Sequence, residues 1–298
     1  KLQKILNRLQ KLHPKEIDLS LNRIQKLFKK LDNPQNNLKC ISIIGTNGKY
    51  STIQTIRAIL KEANINCNIY TSPHIQKINE RFVYNHEEIS DEILSKLLIE
   101  VEDINAGEPI TYFEILTAAY FYHAKNFKNN INLIESGLFH RFDATNVIKE
   151  NLASIVTAIG LDHLDWLPEN KRTIEKIVYE KTSCLLNSKI VIAKQSSVET
   201  LDLIKKNISE NSSKKIIFNE QYSCSINENG FIYYEDEFGG LKLPKPNLLG
   251  EFQIDNIAAA IATLRNLNFK IEEKHIKNGI TKIKSIARLQ EIKSGRLK

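Results

Sequence analysis

Gly45-Thr46-Asn47-Gly48-Lys49-Tyr50-Ser51-Thr52 is the stretch of this sequence best suited to chemistry. It follows a short apolar, β-branched run at residues 40–44 and precedes an amphipathic run at 52–63 with helical spacing. A loop of small residues between a strand and a helix lets backbone N–H groups approach phosphate oxygens, and the helix N-terminus adds partial positive charge. In that setting Lys49 reaches the β- and γ-phosphates, and the Ser51 hydroxyl is placed to ligate Mg²⁺. A Gly-Lys pair alone is an ordinary surface turn; the flanking strand and helix select phosphate binding. Glu135 at a strand end and His163 in a loop are structural if taken singly, and Lys181 is a solvated helix charge. No Ser-His-Asp or Cys-His arrangement offers a protein nucleophile.

The elements that position these residues read as an α/β protein. Two short helices occupy residues 2–31, broken near Pro14. Strands are expected at 40–44, 67–70, 131–134, 153–157 and 189–193, alternating with helices at 52–63, 91–105 (capped by Ser90), 111–127 and 172–186. That alternation predicts a parallel sheet flanked by helices. The alternating runs at 222–243, with Asn229-Gly230 and Gly239-Gly240, predict a small antiparallel β segment. Helices return at 252–267 and 273–283, while 207–215 and 244–247 read as exposed loops. No internal repeat or low-complexity linker interrupts the pattern.

Composition narrows the function classes. The 298 residues are 42% hydrophobic, ample for a packed core. No apolar run approaches the ~20 residues a membrane helix needs, and the N-terminal residues lack the features of a signal peptide. Cys40, Cys67, Cys184 and Cys224 are scattered without C-x-x-C pairing, which suits reduced thiols in a cytoplasmic protein. The net charge of +7 comes from lysines spread along the chain, with no Arg-rich block or aromatic interleaving, so nucleic acid is not an expected partner.

Several downstream segments then fall in an order that resembles the folylpolyglutamate synthase and dihydrofolate synthase family, Mur-type ATP-dependent amide ligases. The loop itself is similar to that family's G-T-N-G-K-G-S-T. Tyr70-Thr71-Ser72-Pro73-His74, Asn79-Glu80-Arg81 and Thr111-Tyr112-Phe113-Glu114 follow it. Glu135-Ser136-Gly137 leads into Arg141-Phe142-Asp143-Ala144-Thr145-Asn146, and Gly160-Leu161-Asp162-His163 and Glu180-Lys181 come next. Gly250-Glu251-Phe252-Gln253, Asn256 and Arg288-Leu289-Gln290 complete the series, which spans almost the whole chain.

The resemblance implies a Mur ligase central domain-like fold over residues 1–298, the N-terminal helices included, with ATP and Mg²⁺ as cofactors. Gly45, Thr46, Asn47, Gly48, Lys49, Ser51, Thr52, Asn256 and Arg288 would contact ATP. Ser51, Glu135, His163 and Lys181, the last as a carbamate, would hold the metal, with Lys49, His163 and Lys181 catalytic. Ser72, Pro73, His74, Phe113, Phe142, Asp143 and Ala144 would line a pterin site. The implied reaction phosphorylates a carboxylate of folate or dihydropteroate and passes the acyl group to L-glutamate. The expected partners are those small molecules, without nucleic acid or membrane, and a monomer is expected. The departures are Tyr50, Phe139 and His140 in place of glycines, Pro168 where a glycine is usual, Phe252 in place of a histidine and Thr182-Ser183-Cys184 in place of A-G-I. No D-x-A-H-N-P segment occurs before Lys298, so the family's C-terminal domain is expected to be absent. A nucleotide-binding pseudoenzyme and a cell-wall Mur ligase are the alternatives; the Thr-Ser-Pro-His and Asp-Ala-Thr-Asn segments favour folates over the latter.

Overall fold

A computed structural model describes residues 1–15, 18–248, 250 and 252–284. Helices α1 (Leu2–Leu9) and α2 (Asn22–Lys30) precede β1 (Lys39–Ile44), α3 (Lys49–Glu62) and β2 (Cys67–Tyr70). A short hairpin, β3 (Phe82–Tyr84) and β4 (Glu87–Glu88), leads to α4 (Asp91–Asn105), α5 (Tyr112–Ala124), β5 (Ile131–Glu135) and β6 (Ala153–Val156). Then come α6 (Ile174–Thr182), β7 (Lys189–Ile192), α7 (Val198–Asn207) and β8 (Lys215–Ile217). The last elements are β9 (Tyr222–Ile226), β10 (Ile232–Asp236), β11 (Leu241–Leu243), α8 (Phe252–Asn266) and α9 (Glu273–Thr281).

The main sheet runs β4-β3-β2-β5-β1-β6-β7-β8, and β9–β11 form a separate antiparallel sheet. From β2 to β8 all pairings are parallel; the β3–β4 hairpin adds the antiparallel edge. Alternate strand residues feed opposite layers, as the two-residue period of a strand requires. Ile41, Ile43, Leu133, Ile155 and Val191 pack with α3, α8 and α9 on one face. On the other face Cys40, Tyr70 and Ile134 meet α1, α2, α4 and α5, while Ile44, Val156 and Ile192 meet α6 and α7. Both faces are covered, which explains why the parallel strands read as continuous apolar runs.

β1 sits centrally, with β5 on one side and β6 on the other. Ligand crevices in such sheets lie beyond the carboxyl ends of the strands where the strand order reverses. Ile43 pairs with Glu135 and Ile44 with Val156, so the loop after β1 emerges between the ends of β5 and β6. No helix among the described residues is long and apolar enough to cross a membrane.

The expected elements are present with shifted ends. Helix α3 starts at Lys49 rather than residue 52, and α6 is shorter than 172–186. The stretch 207–215 is not simply an exposed loop: Asn207 ends α7, Ile208 is buried and Lys215 opens β8. Ser197, whose side chain accepts from Thr200 N, caps α7 and was the available signal for that helix. Pro246 is buried within the expected loop 244–247.

Helices α3 and α9 cross closely at Gly279. A methyl group there would lie 2.8 Å from Ile59 Cα and 2.9 Å from Ile59 N, atoms that cannot rotate away. Gly279→Ala should therefore cost about 1–3 kcal/mol by overpacking, measured by urea denaturation; an unchanged midpoint would contradict this packing.

Candidate active site

The loop after β1 is squeezed from two sides. A Cβ on Gly45 (φ +149°) would lie 2.0 Å from Thr157 Oγ1, and one on Gly48 (φ +88°) 2.1 Å from Asn256 Oδ1. Asn256 Nδ2 donates to Gln253 Oε1 (3.1 Å), which leaves its carbonyl oxygen against the loop. Thr46 N and Asn47 N both donate to Ala158 O (3.0 and 3.1 Å), tying the loop to the end of β6. Thr52 N donates to Gly48 O (2.9 Å), so the N–H groups of the first turn of α3 precede the first intrahelical bond. Tyr50 lies inside that helix and needs no left-handed backbone, so no glycine is required there by the backbone conformation. Ser51 is buried in the same turn.

Two ammonium groups meet above this loop. Lys49 Nζ donates to Gly45 O (3.0 Å) and Thr46 O (3.2 Å), and lies 4.0 Å from Glu135 Oε1. Lys181 Nζ donates to the same Gly45 O (3.1 Å) and to Leu138 O (3.1 Å), with Asp162 Oδ2 at 3.3 Å. His163 Nε2 lies 3.7 Å from that Asp162 oxygen. Burial lowers the Lys181 pKa to about 8, with Lys49 adding repulsion and Asp162 opposing the shift. Burial likewise lowers the pKa of His163, again opposed by Asp162. Among the described residues, Asp162 Oδ1 and Thr52 Oγ1 are buried without a hydrogen-bond partner. Such orphaned oxygens, that of Asp162 on a carboxylate paired with Lys181, suit a site completed by something other than the chain.

A cavity of about 340 Å³ opens beside the cluster. Ser72, Pro73, Phe113, Phe142, Asp143 and Ala144 line it, and so does His163, which links it to the two lysines. The Ser72–Pro73 peptide is cis, and Ser72 N donates to Glu135 Oε2 (3.1 Å). Asp143 is buried and accepts from Gly137 N (2.9 Å), Leu138 N (3.2 Å) and Thr145 N (3.0 Å). Burial raises its pKa against those hydrogen bonds.

No protein-family profile matches the chain. Curated proteins do. A dihydrofolate synthase/folylpolyglutamate synthase of Haemophilus influenzae is 28% identical over 297 residues, covering 97% of this chain and 64% of that protein. The Bacillus subtilis counterpart is 30% identical, covering 91% and 65%. A probable dihydrofolate synthetase of Schizosaccharomyces pombe is 33% identical, covering 89% and 63%. The solved structure of Escherichia coli FolC with DHPP and ADP superposes with a TM-score of 0.85 at 26% identity, over 98% of this chain and 68% of that one. A Thermotoga maritima folylpolyglutamate synthase gives a TM-score of 0.83 at 28% identity, over 97% and 68%. Along nearly its whole length the chain resembles the dihydrofolate synthase/folylpolyglutamate synthase family. It spans just under two thirds of the length of those curated relatives.

Of the residues expected at the family's site, Lys49, Glu135, His163 and Lys181 are brought together, and Asn256 abuts the loop. His74 is not among the lining residues of the aromatic cavity. Its Nδ1 accepts from Arg81 Nε (2.9 Å), burial and then the Arg81 charge lower its pKa, and it lines a neighbouring cavity instead. Arg288 lies outside the described residues. Arg81 and Asp162 stand in matching segments but were given no role from sequence, and Trp166, close to His163, was not named. Phe139 and His140, in place of family glycines, are both buried. The Phe139 ring centroid lies 5.6 Å from Lys181 Nζ and packs edge-on to His163 at 6.3 Å. His140, its pKa lowered to about 4 by burial and Lys181, lies 3.0 Å from Ser136 Oγ through Nδ1.

Lysine-selective isotope labelling should show one amine, absent in Lys181→Arg, that loses its proton near pH 8. The Asp162 carboxylate favours the charged form, so Asp162→Asn should move that midpoint further down. A midpoint that rises in the variant would contradict the contact.

Proposed function

We propose that this chain carries the ATP and folate sites of an amide ligase that joins a pteroate or folate carboxylate to L-glutamate through an acyl phosphate. The observation that carries this reading is the shared Gly45 carbonyl, where Lys49 and Lys181 converge at the edge of an aromatic cavity. The relatives support it: E. coli FolC was solved with DHPP and ADP, and another match is an FPGS–AMPPCP–folate complex.

In this reading the first turn of α3 and Lys49 bind the phosphates, and Asn256 orients the nucleotide beside Gly48. Phe113 and Phe142 hold the pterin ring while Asp143 faces its polar edge. The carboxylate to be activated then points toward His163 and Lys49, so charge gathered by the transferring phosphoryl group is met by the fixed ammonium of Lys49. Glu135, Ser51 and His163 supply oxygen and imidazole donors that fit a hard divalent ion, with Lys181 a further ligand as its carbamate. Mg²⁺ held there would offset phosphate charge. Among the described residues no three His, Cys, Asp or Glu side chains form a metal cluster by themselves. The lowered pKa of Lys181 enlarges the fraction of neutral amine, the form that adds to CO₂, although the ammonium still predominates at neutral pH.

Trp166, the single tryptophan, also lines the cavity, which makes its fluorescence a reporter. Dihydropteroate or folate should quench it saturably in the presence of Mg-AMPPCP. Phe113→Ala should weaken binding by about 1–2 kcal/mol, roughly tenfold in Kd. Absence of quenching at saturating nucleotide would overturn the folate reading.

A further inference from the structure

Strands β6 and β7 pair in parallel as far as Val156 and Ile192, and Ala193 N still donates to Val156 O (2.9 Å). β7 ends there, while the chain after β6 runs on through the buried Thr157 and Ile159. A side chain takes over from the missing strand. Gln195 Oε1 accepts from Ile159 N (3.0 Å), and Gln195 Nε2 donates to Thr157 O (3.3 Å) and Ala193 O (2.8 Å). A carboxamide carries the same donor and acceptor as a peptide. Bonded to the oxygen of residue 157 and the nitrogen of residue 159, it stands in for the next residue of a parallel neighbour.

The same segment also holds the loop after β1. Ala158 O accepts from Thr46 N (3.0 Å) and Asn47 N (3.1 Å). Thr46 Oγ1 donates to Gly160 O (3.2 Å) and accepts from Gly160 N (3.1 Å), and Thr157 Oγ1 donates to Ile44 O (3.2 Å). A little further on, Asp162 meets Lys181 at 3.3 Å and His163 lines the aromatic cavity. Residues 157–163 therefore touch the nucleotide loop at one end and the cavity at the other, and Gln195 grips them from the β7 side.

We propose that Gln195 is a positioning residue for both ligands, holding residues 157–160 in the one arrangement that the nucleotide loop and the His163 end of the cavity share. This inference rests on the ATP and folate reading above. Removing the amide strips the buried Ile159 N–H and Thr157 carbonyl of these partners, so the segment divides its time among other arrangements. A ligand then meets only a competent fraction of the molecules, and its apparent affinity falls by that fraction. Because the segment is shared, the deficit falls on the first ligand alone; once bound, it has restored the segment for the second.

The test measures Mg-AMPPCP by calorimetric titration and dihydropteroate by Trp166 quenching, each alone and with the other saturating. The proteins are the parent, Gln195→Met and Gln195→Glu. Methionine removes all three bonds at similar volume; glutamate keeps the acceptor for Ile159 N and loses both donations. In either variant each ligand alone should bind about fivefold more weakly than to the parent, and within about twofold of it once the other is saturating. Gln221→Met is the control, since Gln221 Oε1 likewise accepts a backbone N–H, that of Ile217 (2.8 Å) in the edge strand β8. It should leave every constant unchanged. Several results overturn the role while leaving the ATP and folate reading standing: unaltered affinities, a deficit in one ligand only, a deficit undiminished by the other ligand, variants that no longer fold, or the same pattern in Gln221→Met. A parent that fails to bind dihydropteroate or Mg-AMPPCP even with the other present takes down that reading, and this inference with it.

Discussion

The carbonyl oxygen of Gly45 accepts from two lysines at once, Lys49 at 3.0 Å and Lys181 at 3.1 Å. Burial of the Lys181 ammonium, and then repulsion from Lys49 on the same oxygen, depress the Lys181 pKa. Asp162 and Glu135 offset part of the charge from opposite sides. Two cations held on one oxygen suit a site that receives an anion, and the neighbouring first turn of α3 has N–H groups that its own helix does not use.

Everything else places that oxygen. β1 must be central and its carboxyl end must lie between β5 and β6, so that Glu135 arrives from one neighbour and the 157–163 segment from the other. Gly45 and Gly48 must lack side chains because Thr157 and Asn256 occupy the space. Helix α6 delivers Lys181 from the far side, with Arg141 held on Glu180 by two bonds of 2.8 Å just before it. The Arg141 guanidinium lies 4.2 Å from the ring centroid of Phe142, so the same helix steadies a wall of the aromatic cavity. Phosphate loop, charge cluster and cavity are therefore one mechanical unit.

What the sequence revealed follows from how local each feature is. The strand–loop–helix arrangement around Gly45 and Lys49 was legible because each of its parts carries its own signal within about twenty residues. The alternation of strands and helices was legible for the same reason, while the β3–β4 hairpin and β8 were too short to show a period. The metal-type donors Glu135, His163 and Lys181 look ordinary singly, and the ordered resemblance to a family is what joined them. His74 shows the limit of that route: a residue in a matching segment turns away because Arg81 captures its ring. Asp162 was passed over beside a histidine, since only the fold shows that Lys181 comes to it from another helix.

The claim that Gly45 organises an anion site is tested most directly by calorimetric titration with Mg-ATP of the parent chain and of Lys49→Ala. The parent should bind saturably with one site. Losing a charge-assisted contact worth about 1.5–3 kcal/mol should weaken the variant by roughly ten- to a hundredfold. Equal affinity in the two proteins, or no heat of binding in the parent, would contradict the account.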